Sequence, residues 1–177
     1  MKVNNAIISL KPKYVQSILS GEKTIELRKR TINLLPGTYL WIYATLPLGS
    51  IRAVAKIESI HRASPRSIWK KFSSHIGLSK KEFNTYVNGS NKVSAIALTS
   101  IKEINPPLAL NSLRSKVKNF HPPQFFARIT ADHPVLNILH SLIVREKSMR
   151  HRSQAPTKDK YEQFYKTNII SLISSGK

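Results

Sequence analysis

Apolar and polar positions along the chain switch between a period near two and a period near 3.6, and the switches mark the elements. Residues 6–10 form a short apolar run that predicts a strand. Pro12 suits the first position of a helix, where its missing N–H is not needed. Tyr14, Val15, Ile18 and Leu19 then share one helical face. Gly21 is placed to end that helix with positive φ. From Thr24 an extended segment would point Thr24, Glu26 and Arg28 one way and Ile25 and Leu27 the other. Leu34-Leu35-Pro36-Gly37 is a turn signal. Residues 38–45 predict a strand apolar on both faces, as in a closed barrel, with Trp41 and Tyr43 on one face and Leu40 and Ile42 on the other. After the Pro47-Leu48-Gly49 turn, residues 51–60 alternate, with Ile51, Ala53, Ala55 and Ile57 inside and Arg52, Lys56 and Glu58 outside.

The second half mixes helices and strands in the same way. Ser64-Pro65 predicts a helix start, with Ile68, Trp69 and Phe72 as its apolar side. Ser79-Lys80-Lys81-Glu82 is a capping box for a second helix that buries Phe83 and Val87 and ends at Asn88-Gly89. Residues 93–104 predict a strand that Pro106-Pro107 breaks, followed by a short helix over 108–113 and a strand over 125–129 that closes the barrel. Val135, Leu136, Leu139, Leu142 and Ile143 have helical spacing. Residues 145–160 are a charged connector containing Arg150-His151-Arg152. A last stripe, Tyr161, Phe164, Tyr165, Ile169, Leu172 and Ile173, needs burial, against the chain's own barrel or against a second copy in a homodimer through the C-terminal helix. The class is α+β, with residues 1–130 as one domain and residues 131–177 as a basic connector and C-terminal helical extension.

Charge changes this picture more than any other property of composition. The 177 residues carry 29 Lys and Arg against 9 acids, a net charge of +20. A small domain this basic calls for a polyanionic partner, and nucleic acid is the commonest. RNA is the expected partner, with DNA second, and most of the excess lies in residues 1–130, so it belongs to the domain. The absence of cysteine excludes thiol chemistry, disulfides and thiolate metal sites. No run of roughly 18 apolar residues is long enough to span a membrane, and the N-terminus lacks the apolar core of a signal peptide. The cytoplasm is the expected compartment.

Candidate chemistry concentrates between Gly21 and Arg30. Lys23 could clamp a phosphate, act as a base, or be an ordinary surface lysine, and a base would need its pKa lowered by burial or nearby cations. Glu26 could orient Lys23 or accept hydrogen bonds from a base edge, and Arg28 could pair with Glu26 or contact phosphate. Arg30 adds charge beside them. Trp41, Tyr43 and Trp69 are candidate stacking rings, although a Trp or Tyr on a barrel strand is more often core. The six histidines have no metal-ligand spacing, so no metal is expected. No phosphate-loop or dinucleotide fingerprint is present, and no cofactor is expected.

Gly21, Lys23, Glu26 and Arg28 fit the pattern G-x-K-x-x-E-x-R, and in this the chain resembles the ASCH family, relatives of PUA, EVE and YTH domains. Leu10-Lys11-Pro12-Lys13-Tyr14, Ile42-Tyr43-Ala44-Thr45, Ser64-Pro65 with Trp69, and Pro122-Pro123-Gln124-Phe125 resemble further blocks of that family. The resemblance spans roughly residues 5–130. It implies a PUA-like small mixed β-barrel flanked by short helices, with a cleft that holds a nucleobase or nucleotide of RNA. It implies nucleic-acid contacts from Lys23, Thr24, Glu26, Arg28, Arg30, Tyr43, Thr45 and Trp69. Some relatives are hydrolases, which makes Lys23 and Glu26 the candidate catalytic residues of an alternative, enzymatic reading. The acetylcytidine amidohydrolases among them use the motif lysine, a threonine three residues later and a glutamate in the helical insert. Here Glu26 stands at the threonine position and Ser74 near the glutamate position, the nearest acid being Glu82. A ribonuclease-like reaction, with Lys23 and Glu26 as acid and base at a ribose hydroxyl, is the other form of that alternative. Binding is the favoured reading, and charge reversal of Lys23 or Arg28 is expected to weaken it with little change in thermal stability.

Overall fold

The computed structural model describes residues 4–143. Residues up to Leu136 form one compact unit, and a second unit begins at Asn137, of which residues 137–143 are described. The first unit carries a six-stranded mixed sheet: β1 (Asn5–Leu10), β2 (Ile25–Arg28), β3 (Tyr39–Ala44), β4 (Ser50–Ala63), β5 (Val93–Ala109) and β6 (Phe126–Ile129). The order across the sheet is β2-β5-β4-β3-β1-β6. The β1–β3 pair is parallel and the others are antiparallel. Short helices flank it: α1 (Pro12–Leu19), α2 (Pro65–Phe72), a 3-10 turn at Ser73–His75, α3 (Lys80–Val87) and α4 (Leu110–Lys116). Residues 135–143 are also helical.

The local chemistry explains these boundaries. Pro12 begins α1, and Gly21 beyond its end has φ +83°, a conformation that only glycine adopts without strain. The Ser64 hydroxyl accepts from the Ser67 N–H at the start of α2. At α3 both halves of the predicted capping box form: Ser79 Oγ accepts from the Glu82 N–H, and Glu82 Oε2 accepts from the Ser79 N–H.

Alternation along the strands sorts apolar residues into two cores. Ala6, Ile8, Leu40, Ile42, Ala53, Ala55, Ile57, Ile96 and Leu98 fill the concave side of the sheet under Val15 and Ile18 of α1. Ile25, Leu27, Val93, Ala95 and Ala97 face the other way and pack under Ile68, Ile76, Phe83 and Val87 of the α2–α3 insert. The period of two in β2 therefore has a consequence. With Ile25 and Leu27 committed to the insert, Glu26 and Arg28 must face the concave side.

Two expectations are corrected here. The strand over 93–104 continues to Ala109 instead of stopping at Pro106-Pro107. Its pairing with β4 skips from Ala53↔Glu103 to Ile51↔Leu108, so the prolines fall in a bulge, where a missing N–H disturbs no ladder bond. The predicted helix consequently starts two residues late, at Leu110. The second correction concerns closure. β6 pairs with β1 but lies at one end of the sheet, with β2 at the other, so the strands form a half-barrel with a seam. The aromatic stripe beginning at Tyr161 lies outside the described residues, and with it both of its expected partners, the chain's own barrel and a second copy in a homodimer.

Candidate functional site

The seam of the half-barrel is where the polar residues of β2 meet β1. Across it Arg28 Nη2 donates to the Ser9 carbonyl oxygen at 3.1 Å, so a side chain bridges strands that the ladder leaves apart. Beside this bridge is a cavity of about 330 Å³, lined among others by Ser9, Tyr14, Lys23, Glu26, Arg28 and Tyr86.

Lys23 anchors it from beneath. Its backbone N–H donates to the Ser17 carbonyl, which fixes the turn after α1. Its side chain is 3% exposed, and the amine reaches three acceptors: the carbonyls of Ile25 at 2.7 Å and Ile76 at 2.9 Å, and Glu26 Oε2 at 3.3 Å. An ammonium has three N–H donors; two go to the carbonyls, and the charge is paired with the Glu26 carboxylate. The lysine thus ties β2 to the α2–α3 insert and holds one oxygen of Glu26. The other oxygen, Oε1, lies 3.2 Å from Arg28 Nε, an ion pair whose N–H is off the line of a hydrogen bond. A carboxylate set between two cations is fixed in position, with its remaining lone pairs available to a ligand.

Aromatic rings wall the cavity. Tyr14 is half-buried, with Lys13 Nζ 4.9 Å and Lys23 Nζ 5.7 Å from its ring centre. Tyr86 of α3 donates its hydroxyl to the Leu27 carbonyl at 3.0 Å. Burial pushes the Tyr86 pKa up, the Glu26 carboxylate adds to this and Arg28 opposes it, so its hydroxyl remains a neutral donor. Phe125, 51% exposed, lines the mouth, with the Arg30 guanidinium 5.6 Å from its ring centre. Lys29 lies over Tyr86 at 5.7 Å, and exposed Lys11 also lines the cavity.

Of the residues singled out in the sequence, Lys23, Glu26, Arg28 and Thr45 line this cavity, and Arg30 stands at Phe125. Thr24 is half-buried and outside the lining, its backbone N–H donating to the His75 carbonyl. Trp41 is fully buried and donates its indole N–H to Asn5 Oδ1 at 3.0 Å, a core role. Tyr43 lines a neighbouring depression. Trp69 packs on Phe83 with ring centres 4.8 Å apart and is covered by Lys80 Nζ at 4.3 Å, outside the cavity. Among the described residues no group of three or more His, Asp or Glu could hold a metal ion, and no helix is long and apolar enough to cross a membrane.

Several cavity residues carried no individual assignment in the sequence. Ser9, Tyr14, Gln124 and Phe125 fall in or beside blocks that resemble the family, without a role attached. Tyr86 gave no signal beyond its place in a predicted helix. Gly77 gave none at all, yet it has φ +65°, and a Cβ there would come within 3.0 Å of Lys23 Cβ. Gly77→Ala is therefore expected to strain the backbone and push the lysine stem, at about 1–3 kcal/mol of stability. Denaturant unfolding checks this, and a midpoint equal to that of the parent chain would show that the glycine is dispensable.

Comparison with known proteins adds an independent line. Residues 4–115 match the family model described as a domain of unknown function, DUF365. The ASCH domain-containing ribonuclease of Zymomonas mobilis is 34% identical over 119 residues, covering 67% of this chain and 80% of that protein. The crystal structure of ASCH from Zymomonas mobilis superposes with a TM-score of 0.72 at 31% identity, over 78% of this chain and 94% of that one. The large ribosomal subunit protein uL22 of Ureaplasma parvum is 32% identical over 92 residues, which span 51% of this chain and only 29% of that protein. The motif residues around the seam, the half-barrel and these matches agree, and the chain belongs to the ASCH domain family, with its PUA-like fold.

Proposed function

We propose that this protein binds single-stranded RNA and holds one nucleotide in the seam cavity. The observation that carries the reading is Glu26, a buried carboxylate fixed between Lys23 and Arg28 with its free lone pairs beside a nucleotide-sized space. Glu26 accepts hydrogen bonds from the edge of an unstacked base, Arg28 supplies the donors, and the Tyr14 and Tyr86 rings flank the base. Lys23 is the positioning residue: held by two carbonyls and ion-paired with Glu26, it sets that carboxylate in place and leaves the ligand to others. Lys11, Lys29 and Arg30 supply the phosphate contacts at the mouth. The relatives support the same reading, since one is named as a ribonuclease and another as a ribosomal protein.

The same geometry disfavours Lys23 as a general base. A base needs a free lone pair aimed at substrate, and this nitrogen donates to two carbonyls and is ion-paired with a carboxylate. Affinity for a labelled single-stranded RNA, measured across a salt series, tests the proposal. The log–log plot should fall by about 0.7 per phosphate neutralised, with several phosphates engaged. A flat plot, or no binding at low salt, overturns it. The RNA should also come back full length; shortened product that tracks the protein through purification would move the reading to cleavage.

A further inference from the structure

A second depression, of about 860 Å³, opens beside the seam cavity and shares Ser9, Thr45 and Gln124 with it. Its far side is built from the β3–β4 turn and the start of α4. Leu46 and Leu48 on that turn are 77% and 46% exposed. Scattered exposed leucines are ordinary on a protein surface, but these are two on one short turn, both lining a groove continuous with a proposed ligand site. Arg114 of α4 also lines it. That arginine uses Nε to donate to the Phe120 carbonyl at 3.2 Å, which fixes the guanidinium, and its Nη groups have no hydrogen bond to any described residue. Tyr43 completes the wall. Burial raises the pKa of its hydroxyl, the Arg114 charge opposes the shift, and the group stays a neutral donor.

We propose that this depression is a second nucleotide subsite, which takes the nucleotide adjoining the one in the seam cavity: its base lies on Leu46 and Leu48, and Arg114 and the Tyr43 hydroxyl hold the phosphate. The proposal rests on the cleft reading above and extends it, because it makes the ligand a polymer. A site for a free nucleotide would need no fixed guanidinium and no apolar shelf one step along the groove. Apolar contact of a second base with the leucines and a second phosphate contact each add affinity that a mononucleotide cannot collect.

The test compares the four nucleoside 5′-monophosphates with the four 5′-phosphorylated homodinucleotides of RNA, which carry one phosphate more, on the full chain, on Arg114→Gln and on Leu46→Ser. Both substituted side chains are exposed, so folding should survive, and an unchanged unfolding midpoint confirms it. In the parent chain the dinucleotide should bind about tenfold tighter than its monophosphate, the order that apolar contact of one base with the leucines and one charge-assisted phosphate contact provide. Each variant should shrink that advantage to about threefold or less and leave monophosphate affinity unchanged. Arg114→Gln should also flatten the salt dependence of dinucleotide binding by about 0.7, the loss of one phosphate contact, which a merely structural arginine would not do. Monophosphate binding with no dinucleotide advantage overturns the second subsite and leaves the cleft reading standing. Variants that weaken monophosphate and dinucleotide alike overturn it as well. Failure of the parent chain to bind either class overturns both readings.

Discussion

Replacing Lys23 with Met is expected to lower the thermal unfolding midpoint by roughly 10 °C, far more than any exposed lysine. Three losses coincide. Glu26 keeps only the Arg28 contact for its buried charge, and the carbonyls of Ile25 and Ile76 lose their donor. Breaking one partner out of a buried ion pair costs about 3–5 kcal/mol, because the remaining charge is left without compensation. For a domain of this size each kcal/mol moves the midpoint by roughly 2–4 °C or somewhat more. Met has nearly the length and flexibility of the lysine stem, so the space is refilled and the effect isolates the amine. The comparison is Lys13→Met. Lys13 also pairs with a glutamate, at 3.2 Å from Glu82, but both side chains are about half exposed, and an exposed pair contributes little. Circular dichroism melts of the three proteins decide it. A Lys23→Met midpoint within a degree or two of the parent would mean that the amine is not the strut it looks like. The expectation drawn from sequence, that charge changes at Lys23 would leave stability almost untouched, gives way to this one because the lysine is buried.

Why the sequence concealed this is physical. Lys23 is adjacent to Glu22 and four residues before Leu27, in a stretch where every second residue is charged or polar, and a lysine there reads as solvated. Beyond Glu26, its partners are two backbone carbonyls, and one of them, Ile76, is 53 residues away. Any residue type carries a carbonyl, so no pattern marks the acceptor. The matching cue, Gly77 packed on the lysine stem, reads as one more loop glycine. Side-chain alternation behaved differently. Ile25 and Leu27 against Glu26 and Arg28 is a period of two that survives any tertiary arrangement, and it aimed the polar pair correctly. The same holds for the Ser79–Glu82 capping box, whose partners are three residues apart.

The seam and the aromatics show where local pattern stops short. A strand apolar on both faces, such as β3, is compatible with a closed barrel and with a half-barrel covered by helices. The choice depends on whether β6 reaches β2, which is a property of the sheet order. Trp69 has the spacing of a helix face and the chemistry of a stacking platform. Lys80, eleven residues on, covers its ring, and that contact exists only because α2 and α3 pack together. Pro106-Pro107 reads as a strand end wherever the ladder is regular. It stops being one when a bulge leaves those positions unpaired with β4.

Arg28→Gln is expected to weaken RNA binding by about 10- to 100-fold while Arg30→Gln weakens it by about threefold or less. Both substitutions remove one positive charge within a few residues of each other, so a diffuse electrostatic surface predicts equal losses. The geometry separates them. Arg30 is exposed and stands over Phe125, where solvent and salt screen its charge. Arg28 has a side chain only 15% exposed, is held by Glu26 and the Ser9 carbonyl, and faces the cavity, so a donor it offers to a ligand is preorganised and partly desolvated. A hydrogen bond to a charged group in such a place contributes about 1.5–3 kcal/mol, which sets the size of the expected loss. Glutamine can still donate toward Ser9, so part of the seam bridge is retained, and the unfolding midpoint must be followed alongside. The salt series then assigns the contact. If Arg28 holds a phosphate, the log–log slope of the variant shrinks by about 0.7; if it reads a base edge, the slope is kept and discrimination among bases is lost. Equal losses for Arg28→Gln and Arg30→Gln at matched stability would rule out a defined cleft and leave only a basic surface.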